Sequence, residues 1–190
     1  QFFYGYAVDQ VRNLIADWVV NGYDYLFAVD SDITFAPDTL KKMLAHDKDV
    51  VTGLYIQRIP GQHLLELFGP NGRINYEDIA GRGLVEVDGC GFGCALVKKK
   101  VFADVGYPQF TYHQALDHRN TFSEDADFCK KAREKGFNIY ADTTIKCDHI
   151  GSWRFTIQEP ELTAGQKRIF DIHNDPTRMP QAHKDYLRKI

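Results

Sequence analysis

Two carboxylates one residue apart follow an apolar run, and they are the side chains in this chain with the clearest capacity for chemistry. The uncharged run from Tyr25 to Val29 predicts a fully buried strand of a parallel sheet. Asp30 and Asp32 come directly after it, where the carboxyl ends of such strands border a ligand-binding crevice. Because carboxylates are not buried alone and residues i and i+2 of a strand share a face, we expect both to be solvated, paired or bound to one cation.

The elements needed to position these aspartates alternate between helix and strand in the first part of the chain. Apolar residues at helical spacing predict a helix from Tyr6 to Asn21, and a second helix is expected from Asp38 to His46. The uncharged stretch from Asp49 to Tyr55 predicts the next buried strand. This alternation indicates an α/β domain with a largely parallel sheet.

The rest of the chain mixes short strands, turns and two further helices. Glycine and proline between 56 and 83 favour hairpins or a loop. Helices are expected from Lys99 to Val105 and from Ser123, an N-cap residue, to Lys135. Short strands are expected at 84–88, 137–141 and 144–147.

Bulk composition bounds the possible classes of function. The chain has 190 residues, 44% of them hydrophobic and 26% charged, with a net charge of −3. These values are typical of one globular domain, and the lack of a long Lys/Arg run argues against a surface that wraps nucleic acid. No apolar segment has the length of a membrane span. The four cysteines are too few for a disulfide scaffold and lack a zinc spacing, so we expect reduced thiols and a cytoplasmic protein.

Four motifs, in this order and spacing, resemble those of GT-A-fold glycosyltransferases, most closely the inverting family 2. They are the strand ending in Asp30-Ser31-Asp32, a Gly-rich strand before VFADVG, the helix SEDADFCKKAREKGF and a downstream HIG. The resemblance implies a mostly parallel central sheet flanked by helices, a catalytic domain at 1–155, and a tail at 156–190 that covers the site or contacts a second copy. The nucleotide-binding first strand of such enzymes has no counterpart, so we expect a fragment.

The resemblance implies transfer of a sugar of hexose type from a nucleotide-diphosphate donor, with UDP as the first expectation, to an acceptor hydroxyl with inversion. A divalent cation would stabilise the charge on the leaving diphosphate. Asp32 would bind it directly, Asp30 would bind it or the ribose, and His149 would be a third ligand. An imidazole ligand favours Mn²⁺ over Mg²⁺. The alternatives are aspartates that cap a turn and a histidine that is only hydrogen-bonded.

An inverting transfer also needs a base that takes the proton of the acceptor hydroxyl. By resemblance, Asp125 is that base and Glu124 holds the acceptor or positions the loop, whereas Asp127 is expected to be solvated. The alternative is that these acids merely complement a helix N-terminus.

Three further residues are expected to contact substrate. Arg58 would grip the diphosphate, although a salt bridge at the rim of the site is the other reading. Gly91 would let the donor sugar approach the backbone. Trp153 is the third expected substrate contact.

Two other functions remain open from the sequence. Asp-x-Asp-x-Thr after an apolar strand also looks like the first motif of haloacid-dehalogenase-type phosphatases, with Asp30 as nucleophile, Asp32 as acid/base and Thr34 in support. That family needs a later lysine and an acidic motif at a strand end, whereas Glu124-Asp125 is expected to begin a helix. A non-catalytic module that binds a sugar or nucleotide is the other alternative.

Overall fold

A five-stranded mixed sheet forms the centre of the protein in the computed structural model, which describes residues 6–59, 64–113, 123–151 and the backbone of 154–155. The predicted tail at 156–190 and Trp153 lie outside the described residues. The helices are α1 Val8–Gly22, α2 Thr39–Ala45, α3 Tyr76–Ile79, α4 Lys99–Val105 and α5 Glu124–Glu134. The strands are β1 Tyr25–Val29, β2 Ile33–Thr34, β3 Val50–Leu54, β4 Leu64–Gly69, β5 Gly72–Asn75, β6 Leu84–Val87, β7 Gly89–Cys90, β8 Cys94–Lys98, β9 Ile139–Lys146, β10 Asp148–Ile150 and β11 Arg154–Phe155.

The central sheet has the strand order β1-β8-β3-β9-β6, and its pairing is mostly antiparallel. The α/β class is confirmed, but the predicted mostly parallel sheet is wrong, because β3 and β9 form its one parallel pair among the described strands. The cause is β8, which begins beside the end of β1, with Cys94 opposite Val29. A strand that begins at that edge must run back between β1 and β3.

The insertion of β8 leaves β1, β3 and β9 running in the same direction. Since β1 and β3 are each antiparallel to β8, and β9 is parallel to β3, their carboxyl ends lie at one edge of the sheet. The edge predicted to carry the ligand crevice therefore exists without a parallel sheet.

Strand β1 is less buried than its apolar sequence predicted. It is the outermost strand of the described sheet, and its end residues Tyr25 and Val29 are exposed. An uncharged run does not distinguish a buried central strand from an edge strand, so the expectation of full burial is wrong for β1.

Two three-stranded sheets flank the centre. One has the order β11-β10-β2 and the other β5-β4-β7. Strands β4 and β5 form the hairpin that was expected between residues 56 and 83. The first of these small sheets adjoins the turn that carries Asp30 and Asp32, since β2 begins at Ile33.

Helix α5 is delimited by its own sequence and packed by an aromatic core. The Ser123 hydroxyl accepts a hydrogen bond from the Ala126 N–H (3.3 Å), and Gly136 adopts φ +86° just beyond the helix, in the region that favours glycine. Phe128 of α5 stacks on Phe110 with ring centroids 4.8 Å apart, and the rings of Phe92 and Phe102 lie within 5.2 Å of Phe128. All four rings are buried.

Helix α1 packs against α4 and buries Ala16 and Val19. None of the helices formed by the described residues has the length and apolar character needed to cross a membrane.

Candidate functional site

The predicted site residues gather at the edge where β1, β3 and β9 end, and they form two ion-paired groups. The outer cluster consists of Asp32, Arg58 and His149. The inner cluster consists of Arg12, Glu124 and Asp125. Asp30 lies between them, with its Oδ1 3.7 Å from a guanidinium nitrogen of Arg12.

Backbone pairing brings the outer cluster together. His149 in β10 lies opposite Ile33 in β2, and the Ile150 N–H donates to the carbonyl of Asp32 at 2.7 Å. Residues more than 100 positions apart are thus held side by side by main-chain hydrogen bonds. Arg58 reaches the same place from the loop after β3, with a guanidinium nitrogen 2.9 Å from Asp32 Oδ2.

The hydrogen bond of His149 Nδ1 to the carbonyl of Ile56 (2.9 Å) fixes the tautomer of the imidazole. A carbonyl only accepts, so Nδ1 carries a proton and the lone pair of a neutral ring lies on Nε2. Nε2 lies 3.4 Å from Asp32 Oδ2, so an imidazole nitrogen and a carboxylate oxygen converge. The ring of Tyr55 holds the imidazole edge-to-face at 5.7 Å. A proton or a cation can join these two atoms, and the guanidinium of Arg58 lies 2.9 Å from the same oxygen of Asp32.

This donor set fits part of a site for a divalent cation. One carboxylate and one imidazole whose other nitrogen is fixed by a carbonyl is a usual ligand arrangement. Within the described residues, however, no group of three or more His, Cys, Asp and Glu side chains is arranged to hold a metal ion. Phosphate oxygens and water would have to complete the coordination.

Asp30 does not share the direction of Asp32. The strand ends at Val29, and the Ile33 N–H donates to the Asp30 carbonyl at 3.0 Å, which closes a turn over residues 30–33. The expectation that residues i and i+2 share a face applies to a strand and therefore does not hold here. Asp32 faces the outer cluster, whereas Asp30 faces Arg12.

The inner cluster is built on the first turn of α5. Glu124 is buried, and its Oε1 lies 3.0 Å from Arg12 Nη1, which also contacts Asp125 Oδ1. The other oxygen of Asp125 accepts a hydrogen bond from the Phe92 N–H at 3.2 Å. These acids therefore do more than complement the positive end of the helix, because their side chains contact a guanidinium from another element.

Arg12 is the residue that the sequence did not single out. Spacing placed it on the polar side of α1, but its side chain lies under the site, 5.4 Å from the centroid of the Phe92 ring. The available signal was the polar stripe Asp9, Arg12 and Asn13 at helical spacing. Asn13 is buried and exchanges two hydrogen bonds with the backbone of Phe110, at 2.7 and 3.0 Å. A polar stripe of this kind marks a second packed face of the helix.

Gly91 lies in the site for a reason other than the predicted contact with substrate. A Cβ at Gly91 would overlap the hydroxyl of Tyr55, and one at Gly93 would lie 2.7 Å from Tyr55 Cζ. The Gly93 N–H donates to the Tyr55 hydroxyl at 2.9 Å, and burial raises the pKa of Tyr55 well above its ordinary value. The space beside Gly91 is thus filled by the protein itself.

Asp127, expected to be solvated, is buried. Its carboxylate pairs with Lys131 at 2.6 Å and with His113 Nε2 at 3.1 Å. Lys131 also donates to the carbonyl of Pro108 at 2.8 Å. Asp127 and Lys131 therefore connect α5 to residues 108–113. A helical sequence pattern alone does not reveal this connection.

Comparison with known proteins identifies the fold only. The crystal structure of A197 from STIV is similar to this chain with a TM-score of 0.55 and 21% sequence identity, over 76% of this chain and 68% of that one. No family model matches the chain, and no curated protein matches it. The likeness shows a fold shared with a solved protein, and any statement about function must come from the site.

Proposed function

We propose that this protein is a metal-dependent glycosyltransferase of the GT-A type, which moves a sugar from a nucleotide-diphosphate donor to an acceptor hydroxyl with inversion. The observation that carries the proposal is the convergence of both acidic motifs and His149 at one edge of the sheet, where Arg12 links Asp30 to Asp125. One cluster offers ligands for a cation and the other offers a carboxylate held in place, which are the two requirements of this reaction.

In the outer cluster, Asp32 and His149 would hold the divalent cation, with Mn²⁺ favoured by the imidazole. When bound, the cation supplies positive charge to the leaving diphosphate. Arg58 is half exposed and contacts Asp32 at 2.9 Å, so its guanidinium can exchange this carboxylate for a phosphate of the donor. A UDP-sugar is the first donor to test.

In the inner cluster, Asp125 would act as the base. The acceptor oxygen bonds to the anomeric carbon as the bond between that carbon and the diphosphate oxygen breaks. The electron pair of the broken bond leaves with the diphosphate. The acceptor proton passes to the Asp125 carboxylate. Asp30, on the side of Arg12 that faces the turn after β1, is available to the ribose or the cation.

The phosphatase alternative would place a lysine beside the aspartates. Within the described residues, the ion pairs that Asp30 and Asp32 form with arginine are to Arg12 and Arg58, and the imidazole of His149 lies beside Asp32. Glu124 and Asp125 begin a helix rather than end a strand. Both observations favour the transferase over the phosphatase.

The test is a panel of UDP-, GDP- and dTDP-sugars incubated with the protein and Mn²⁺, with and without EDTA. The proposal predicts release of nucleoside diphosphate that depends on the cation. Release of phosphate from a simple phosphomonoester would instead support the phosphatase. Cation-dependent binding of a nucleotide sugar with no turnover would support the binding module.

A further inference from the structure

The structure carries an inference about Arg12, which no motif of the sequence indicated. We propose that Arg12 is a positioning residue for the base: it keeps the carboxylate of Asp125 ionised and fixes its orientation. The catalytic meaning of this inference rests on the proposed function, but the electrostatic effect can be measured without any substrate.

Three carboxylates converge on the guanidinium of Arg12. Arg12 contacts Asp125 Oδ1, lies 3.0 Å from Glu124 Oε1 and lies 3.7 Å from Asp30 Oδ1. Water reaches Arg12, Glu124 and Asp125 poorly, since their side chains are 14%, 9% and 17% exposed, whereas the side chain of Asp30 is 48% exposed. An opposite charge at this range favours the ionised form of a carboxyl group.

Both carboxylate oxygens of Asp125 contact neighbouring groups. Arg12 contacts Oδ1 and the Phe92 N–H donates to Oδ2 at 3.2 Å, so the carboxylate cannot rotate freely. A base in a transfer reaction must keep one orientation relative to the acceptor hydroxyl, which these two contacts provide.

Arg12 itself is fixed by its surroundings. Its guanidinium lies over the rings of Phe92 and Phe110, at 5.4 and 5.9 Å from their centroids. The next residue, Asn13, exchanges two hydrogen bonds with the backbone of Phe110. Helix α1 thus holds the cation in place before any ligand arrives, as a preorganised site requires.

This arrangement also gives Glu124 a role. When Asp125 takes up the acceptor proton its charge is neutralised, and its attraction for Arg12 weakens. Glu124 Oε1, at 3.0 Å, and Asp30 Oδ1, at 3.7 Å, remain beside the guanidinium and hold it in position. Arg12 remains protonated throughout, because a guanidinium does not lose its proton in this pH range.

Among the described residues, the guanidinium of Arg12 joins charged groups from three elements. Arg12 comes from α1, Glu124 from α5 itself, and Asp30 from the turn after β1. Cys129, a buried residue of α5, adds no charge here. A hydrogen bond with Cys90 and burial raise the pKa of this thiol well above its ordinary value, so it is neutral.

The test compares the pH dependence of kcat/KM in the wild type, Arg12→Gln and Arg12→Lys. We expect the acid limb to move to higher pH by about 1 to 3 pH units in Arg12→Gln. The shift should be smaller in Arg12→Lys, whose ammonium keeps the charge but loses the fork that reaches several carboxylates. Arg133→Gln is the matched control, because Arg133 lies on α5, the helix that carries Asp125, but pairs with Asp88 at 2.8 Å, and its profile should equal that of the wild type. A lower rate in Arg12→Gln with an unmoved acid limb would overturn the inference.

A second measurement separates this inference from the proposed function. The carboxyl carbon of Asp125, assigned by its loss in Asp125→Asn, is titrated by NMR in the free protein. It should take up its proton at higher pH in Arg12→Gln and at lower pH in Glu124→Gln, which removes a competing negative charge without removing the cation. If no nucleotide sugar is turned over, the proposed function fails while this titration still decides the role of Arg12. If Arg12→Gln does not fold, Glu124→Gln decides, and an unmoved titration there contradicts the coupling.

Discussion

The outer and inner clusters contain the same ion pair, one arginine and one aspartate, in different surroundings. In the outer cluster the side chains of Arg58 and Asp32 are 50% and 30% exposed. In the inner cluster those of Arg12 and Asp125 are 14% and 17% exposed. An exposed pair contributes about 0–1 kcal/mol and separates easily, whereas removing one partner of a buried pair costs about 3–5 kcal/mol. The outer pair is therefore suited to exchange one partner for a ligand, and the inner pair is suited to hold a base.

The parts of the protein that support the two clusters also differ, and the support of the inner cluster is the more buried. The inner cluster rests on the rings of Phe92, Phe102, Phe110 and Phe128, all of them buried. The outer cluster rests on hydrogen bonds between short strands, such as that from the Ile150 N–H to the Asp32 carbonyl. Substitutions in the aromatic core should therefore displace Asp125 and leave Asp32 and His149 nearly in place.

The largest effect on stability is expected from Phe128→Ala. Removing a fully buried ring leaves a cavity and should lower the free energy of unfolding by about 3–5 kcal/mol, as measured by denaturant unfolding. Phe35→Ala is the control, since this ring is 40% exposed and contacts Phe27 edge-to-face, and it should cost clearly less. Equal losses of unfolding free energy in both variants would show that the buried rings under the inner cluster stabilise the protein no more than an exposed ring does.

A smaller effect is expected from Gly91→Ala. The new Cβ would overlap the Tyr55 hydroxyl, and overpacking of this kind costs about 1–3 kcal/mol of unfolding free energy. Tyr55→Phe removes the overlapped oxygen, so the double variant should recover part of the loss in a thermal melt. A double variant whose loss equals the sum of the two single losses would assign the glycine to some other constraint.

Arg58→Ala should barely change the free energy of unfolding, but it should have opposite effects on the binding of the cation and on the binding of the nucleotide sugar. Loss of an exposed ion pair costs less than about 1 kcal/mol. If a cation binds Asp32 as proposed, it competes with Arg58, and titration calorimetry on this variant should show tighter binding of Mn²⁺ alone and weaker binding of the nucleotide sugar. The exposed Arg82 offers a control, Arg82→Ala, with neither change. Weaker binding of both ligands would refute the exchange.

The smallest effect concerns acid stability at an ion pair outside both clusters. Burial of Asp142 acts to raise its pKa, but hydrogen bonds from His46 (2.7 Å) and Thr144 outweigh it, so the pKa lies below its ordinary value of 3.8. A lowered folded-state pKa gives stability that is present above pH 3.8 and is lost as the pH falls through the folded value. Asp142→Asn should therefore show a flatter decline of unfolding free energy below about pH 4 than the wild type. Parallel acid unfolding curves would contradict this assignment.

Local sequence predicted the elements well because their signals are local. The helix expected from Lys99 to Val105 matches α4, and the strand expected from Asp49 to Tyr55 matches β3 at Val50–Leu54. The Ser123 cap also begins α5 as expected. Each of these depends on residues within one turn or one strand.

Pairing between distant segments could not be predicted in the same way. The placement of β8 between β1 and β3, and hence the antiparallel sheet, depends on where the segment around Gly93 packs. Sequence likewise grouped Asp30 with Asp32, whereas the turn after Val29 separates their side chains. The inward direction of Arg12 follows from the contact of α1 with Phe110, which is nearly 100 residues away.

We propose that the outer cluster binds the donor and that the inner cluster performs the transfer. The most direct test measures cation-dependent binding of the donor and sugar transfer in Asp32→Ala and Asp125→Asn, with the exposed Asp104→Asn as control. We predict that Asp32→Ala loses binding, whereas Asp125→Asn binds the donor as the wild type does and transfers about 10² to 10⁴ times more slowly. Transfer by Asp125→Asn at a rate near that of the wild type would contradict the account.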